Sequence, residues 1–142
     1  MRKDSLILCL TFLASILTKS YALWCEGQGP GACQLNIQGV PSYTDGGYKY
    51  AILWSNATIY DHNCHILGYV ERPIEGMAVY SLLPWSVVLT YLKPDSPYFE
   101  FCYAGTCHDG GFWCTNQDEF GMAMKECLHA FNCASMDRQA SA

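Results

Sequence analysis

Positive charge is scarce in this chain. Eight lysines and arginines stand against 13 aspartates and glutamates. A surface so poor in cations opposes non-specific binding to nucleic acid or anionic lipid. Long apolar runs are missing too. The apolar stretch Met77 to Leu92 runs 16 residues without a charge, and Pro84 splits it, whereas a spanning helix needs about 20 apolar residues. Gly27 to Gly31 is glycine-rich but has no lysine and no helix pattern after it, so it is not a phosphate cradle. There is no paired Cys-x-x-Cys, no Ser-His-Asp order, no internal repeat and no low-complexity linker. No cofactor site is expected.

Cysteine, by contrast, is plentiful. Arg2 and Lys3, the 12-residue apolar run Leu6 to Leu17 and the small-x-small triplet Ser20-Tyr21-Ala22 read as a secretory signal peptide over residues 1–22. Cleavage there removes Cys9 and leaves one domain, residues 23–142, with eight cysteines: Cys25, Cys33, Cys64, Cys102, Cys107, Cys114, Cys127 and Cys133. An even set in a secreted chain predicts four disulfides, whose pairing the sequence leaves open. Five basic side chains then face twelve acidic ones, a net charge of −7. Ten tyrosines and four tryptophans suit a surface that binds proteins, although most such rings are expected in the core.

Taken in order, Cys33 to Gly39 alternates apolar and polar residues, as a half-buried strand does. Asp45-Gly46-Gly47 is a turn, and Tyr48 to Trp54 is a second strand. Ser55 to Thr58 reads as a hairpin tip, followed by short strands at Ile59-Tyr60 and Cys64 to Val70. Met77–Leu83 and Ser86–Leu92 read as two buried strands around a Pro84-Trp85 corner, with Val79, Leu83, Val87 and Leu89 inaccessible. Tyr98 to Ala104 is strand-like.

From Asn116 the apolar spacing lengthens. Phe120, Met124, Cys127, Leu128 and Phe131 fall at helical intervals. Asn116 and Glu119 match a capping box, and Asp118 and Glu119 favour a helix N-terminus. The expected fold is therefore α+β: a mostly antiparallel sheet with one C-terminal amphipathic helix, stapled by four disulfides.

Few constellations suggest chemistry. His62, Cys64 and His65 cluster, but a secreted cysteine in an even set is oxidised rather than metal-bound; no metal is expected. Asn56-Ala57-Thr58 is a glycosylation sequon, which makes Asn56 a candidate acceptor. Gly68-Tyr-Val-Glu-Arg-Pro-Ile resembles the Tyr-x-Glu-x-Pro-Ile strand of small secreted fungal ribonucleases. That resemblance implies an alternative function, a ribonuclease-like hydrolase using Glu71 as base with His108 or His65 as acid and Arg72 on the phosphate. Against it, those enzymes place their helix before the catalytic strands, and adjacent strand residues point to opposite faces.

The whole order of features carries a second likeness. Cys33-Gln-Leu-Asn-Ile-Gln-Gly near the start and Cys102-Tyr-Ala-Gly-Thr-Cys…Trp-Cys before the last element resemble the Leptosphaeria avirulence-and-suppressing (LARS) family of small cysteine-rich fungal effectors. The likeness is one of size, spacing and pattern, and it assigns no functional residue. It implies a non-enzymatic virulence or avirulence factor, secreted to the apoplast, with translocation into host cells left open. Its partner would be a host plant protein, an immune receptor or the target such a receptor guards, and not nucleic acid or membrane. The chain is expected to act as a monomer. Specificity is expected on projecting loops, with Tyr43, Tyr48 and Arg72 as contact residues.

Overall fold

A computed structural model describes residues 25–44, 49–94, 96, 98–119 and 122–134. Among these residues nine strands follow one another: β1 Ala32–Thr44, β2 Lys49–Tyr60, β3 Ile66–Glu71, β4 Ala78–Val79, β5 Val87–Leu92, β6 Phe99–Tyr103, β7 Thr106–His108, β8 Trp113–Glu119 and β9 Met122–Asn132. They form two sheets, one of five strands in the order β3-β2-β1-β9-β8 and one of four in the order β4-β5-β6-β7. Every pairing between them is antiparallel.

Period-two alternation builds the core. Cys33, Leu35 and Ile37 on β1, Ala57 and Ile59 on β2, and Cys127 and Phe131 on β9 face Val87 and Leu89 on β5 and Phe99, Phe101 and Tyr103 on β6. Rings lock the two layers: Phe131 of the larger sheet lies edge-on to Phe101 and Tyr103 of the smaller, with centroids 5.3 and 5.2 Å apart, an arrangement that adds to simple burial. The sheets also join at one edge, where Gly68 bridges Ser81. A Cβ at Gly68 would stand 2.5 Å from the Tyr80 carbonyl oxygen, so only glycine lets the two backbones meet there.

The C-terminal helix is not there, and the fold is all-β rather than α+β. Asn116, Asp118 and Glu119 belong to β8, while Met124, Cys127, Leu128 and Phe131 belong to β9; Phe120 lies outside the described residues. The reason is position. β9 is an interior strand paired on both sides, and around Glu126 to Leu128 both of its faces are covered. Glu126, Cys127 and Leu128 are buried in succession. Burial on two faces blurs strand alternation into something that imitates a helical period.

Four disulfides clamp the sheets: Cys25–Cys64, Cys33–Cys133, Cys102–Cys107 and Cys114–Cys127. The last two join directly opposed residues of neighbouring strands, Cys102 with Cys107 across β6 and β7 and Cys114 with Cys127 across β8 and β9. Cys127 thus fastens one strand to another, not a helix to a sheet.

Two more expectations change. Ser55 to Thr58 is not a hairpin tip. β2 runs through it, with a register shift that places Ser55 as an extra residue between the pairs Gln38–Asn56 and Gly39–Trp54. In the charge-free stretch, Val79, Val87 and Leu89 are fully buried as expected. Leu83 is only partly buried against the core, and the strand before Pro84 is cut to Ala78–Val79.

Candidate functional site

The bulge at Ser55 organises a broad groove on the surface. Its carbonyl accepts the backbone N–H of Arg72 at 2.8 Å, and its hydroxyl donates to the Gln38 carbonyl at 3.1 Å. Arg72 takes a positive φ of 50°, uncommon for a residue with a side chain. The chain leaving β3 is thereby bent so that residues 72–75 stand beside β2 instead of continuing the sheet. Opposite them, the end of β5 is tied down. The Trp54 indole N–H donates to the Lys93 carbonyl at 3.1 Å, and the Ile52 N–H donates to the Pro94 carbonyl. Glu75 closes that wall, pairing with Lys93 at 3.1 Å and accepting the Leu92 N–H. The Lys93 hydrogen bond holds the Glu75 carboxyl below its ordinary value.

Between the walls lies a groove of about 910 Å³. Val40, Leu53, Tyr69 and Ile74 line it and are 37, 61, 52 and 62 % exposed. Glu71, Arg72 and Asn56 add polar groups to the same lining. Asn56 is half-buried, and its side-chain amide donates to Gln38 Oε1 at 2.9 Å. Gln38 in turn donates to the Glu126 carboxylate at 2.8 Å, as does Asn36 at 2.6 Å. This ladder fixes the Asn56 side chain, so a sugar attached there would rise from the groove and not from a loop tip.

Of the residues singled out from sequence, the structure brings Asn56, Glu71 and Arg72 together. Neighbours in a strand point apart, but the turn at Arg72 ends the strand and returns both side chains to one groove. Tyr43 pairs with Tyr50 through the β1–β2 ladder, and Tyr48 lies outside the described residues. Val40, Leu53 and Ile74 went unseen in the sequence; the signal available for the first two was their outward place in an alternating strand.

The histidines lie elsewhere. His65 Nδ1 meets Asp61 Oδ2 at 3.0 Å, and Asp61 Oδ1 accepts the backbone N–H groups of Asn63 and His65; the His65 backbone N–H is what most lowers the Asp61 carboxyl. β3 separates His65 from Glu71, a span of about 20 Å at some 3.3 Å per strand residue. The sulfur of Cys64 is held by Cys25, so it offers no thiolate beside His62 and His65. Among the described residues no group of three or more His, Cys, Asp and Glu is placed to hold a metal ion.

His108 and His129 form a different unit. His129 Nδ1 lies 3.2 Å from the Gly111 carbonyl, which can only accept, so Nδ1 carries the proton. His129 Nε2 therefore accepts from His108 Nδ1–H at 3.1 Å. The bond joins β9 of one sheet to β7 of the other inside a ring cluster with Phe101, Phe112 and Phe131. Burial, and to a lesser extent the neighbouring His108, hold His129 below its ordinary value of 6.5, against an opposing contribution from Gly111. The unfolded chain then binds more protons than the folded one just below pH 6.5, so stability should be full above that pH and fall as the solution is acidified through it. Thermal unfolding from pH 7.5 to 5 should show this slope, and His129→Phe should flatten it. Asp61 and Glu75 titrate at lower pH and act in a separate window.

Among the described residues no helix is long and apolar enough to cross a membrane. No protein-family model matches the chain, and neither the curated proteins nor the solved structures contain a match to it.

Proposed function

We propose that the chain is a secreted, non-enzymatic effector of a plant-pathogenic fungus that binds a host protein through the groove over β2 and β3. The observation that carries this reading is the groove itself: exposed Leu53, Tyr69 and Ile74 beside Arg72. Apolar patches rimmed by polar groups mark interaction sites, and tyrosine and arginine are favoured anchors in them. Secretion is supported by the leader-like start and by four disulfides on a small domain. The host class comes from the resemblance to the LARS family, and so does the idea that an immune receptor, or the protein it guards, is the partner. Ribonuclease chemistry is the less supported reading, because neither His65 nor His108 lines the groove that holds Glu71.

The test uses the mature, oxidised chain in host tissue. Leu53→Asp/Ile74→Asp changes two exposed positions, so it should accumulate and melt like the parent. It should lose partner binding and host recognition by about tenfold or more, as expected for central interface positions. Unchanged recognition by that variant would overturn the proposal. So would RNA cleavage by the parent that Glu71→Gln abolishes.

A further inference from the structure

The loop between β4 and β5 presents apolar side chains outward. Leu82 is 83 % exposed, Tyr80 77 % and Trp85 51 %, and Pro84 is exposed beside them. The residues on either side anchor it. Ser81 bridges Gly68 on β3, Leu83 packs on the core, and Val79 and Val87 at the two ends are fully buried. The loop is therefore a braced tip, not an unfolded strand.

Three properties define what such a tip fits. First, no charged side chain occurs from Met77 to Leu92. Second, two successive backbone donors at the tip, those of Leu82 and Leu83, are satisfied. The Leu82 N–H donates to the Leu67 carbonyl at 2.9 Å and the Leu83 N–H to Ser81 Oγ at 3.2 Å, while Pro84 has no N–H at all. Satisfied backbone donors are what a hydrocarbon surface requires and what water or a polar protein rim does not. Third, tyrosine and tryptophan flank a leucine, and such rings prefer the headgroup level of a bilayer while leucine sits deeper. A protein partner ordinarily covers about 800 Å² on each side, with a polar rim and about ten hydrogen bonds. One charge-free tip offers little of that.

We infer that the Tyr80–Trp85 loop inserts into the outer leaflet of a zwitterionic phospholipid surface and seats the protein there peripherally. The net charge of −7 over residues 23–142 argues against anionic lipid as the attractant. The expectation of no membrane contact rested on the shortage of positive charge, which bears on anionic lipid, and on the length needed to span a bilayer; a loop lying in one leaflet of zwitterionic lipid needs neither. The inference is independent of the groove, whose lining excludes these residues.

Flotation of the mature, oxidised chain with phosphatidylcholine vesicles tests it. The parent should rise with the vesicles, and its tryptophan emission should shift to shorter wavelength. Leu82→Ser/Trp85→Ser should melt like the parent, since both side chains are exposed, and should partition about tenfold or more less strongly. Trp85→Phe should remove the emission shift, which a merely structural role of the loop would not do. The inference is overturned if the parent stays unbound, if it floats only on vesicles containing anionic lipid, or if the double variant floats as well as the parent.

Discussion

Val87→Asp should abolish accumulation of folded protein. Val87 has no exposed surface and lies at the start of β5, between Val79 of β4 and the facing larger sheet. Aspartate there would bury a charge with no partner supplied for it, costing about 4 kcal/mol or more. A domain of this size holds roughly 5 to 15 kcal/mol in total, so the loss takes a large part of that margin. The control lies three residues on. Thr90 is exposed on the same strand, and Thr90→Asp should stay within about 0.5 kcal/mol of the parent. Secreted yield and melting temperature measure both. Equal yield from the two variants would mean that β5 does not line the core.

The second large effect belongs to the disulfide Cys33–Cys133. It closes 100 residues of chain, against five for Cys102–Cys107. A cross-link acts chiefly by restricting the unfolded chain, so the long loop is worth about 5 kcal/mol and the short one about 2. Folded-state hydrogen bonds do not remove the difference. The Cys133 N–H still reaches the Gly31 carbonyl, and Ala32 still pairs with Asn132 when the sulfurs are gone. Cys33→Ala/Cys133→Ala should therefore lower the denaturant midpoint far more than Cys102→Ala/Cys107→Ala. Similar losses from the two pairs would show that chain restriction is not how these bridges act.

These two effects mark what the sequence discloses and what it hides. The cysteine count foretold four bridges, and the alternation around Cys33 to Gly39 and the buried valines and leucine of Met77 to Leu92 gave true core positions. Each of those signals is local, or is forced by redox chemistry. The pairing of the cysteines was not legible, because it depends on which strands become neighbours. The helix was misread for a related reason. An interior strand such as β9 carries buried groups on both faces, and Glu126 counts among them because side chains of β1 meet it. Hydrophobic period reports burial on one face only. Local propensity in the segment, with its alanine, methionine, lysine and glutamate, favours a helix, and pairing with β1 and β8 overrides it.

The site was legible in fragments. Arg72 and Asn56 were identified as surface polar residues, one expected in a loop and one at a hairpin tip. What unites them is the single extra residue at Ser55 and the positive φ at Arg72. Neither leaves a mark in sequence, since serine and arginine are not the residues that usually signal a bulge or a left-handed turn. Most of the aromatic rings were expected in the core, and the rest on a binding surface. Trp54, Tyr60, Phe99, Phe101, Tyr103 and Phe131 are buried, while Tyr69, Tyr80, Trp85, Tyr98 and Trp113 keep half or more of their surface in water. The same surplus that hides the site in composition supplies both its groove and the neighbouring apolar loop.

Site-specific photo-crosslinking tests the central claim, that the groove and not a catalytic centre meets the partner. A photoreactive side chain replaces Leu53 in the groove or, in a separate protein, exposed Asp109 in the loop between β7 and β8. Illumination in host tissue should join the protein to its partner from position 53 and leave position 109 unlinked. Crosslinks to a partner from 109 alone would place the interface at the loop between β7 and β8, away from the groove, and contradict the account.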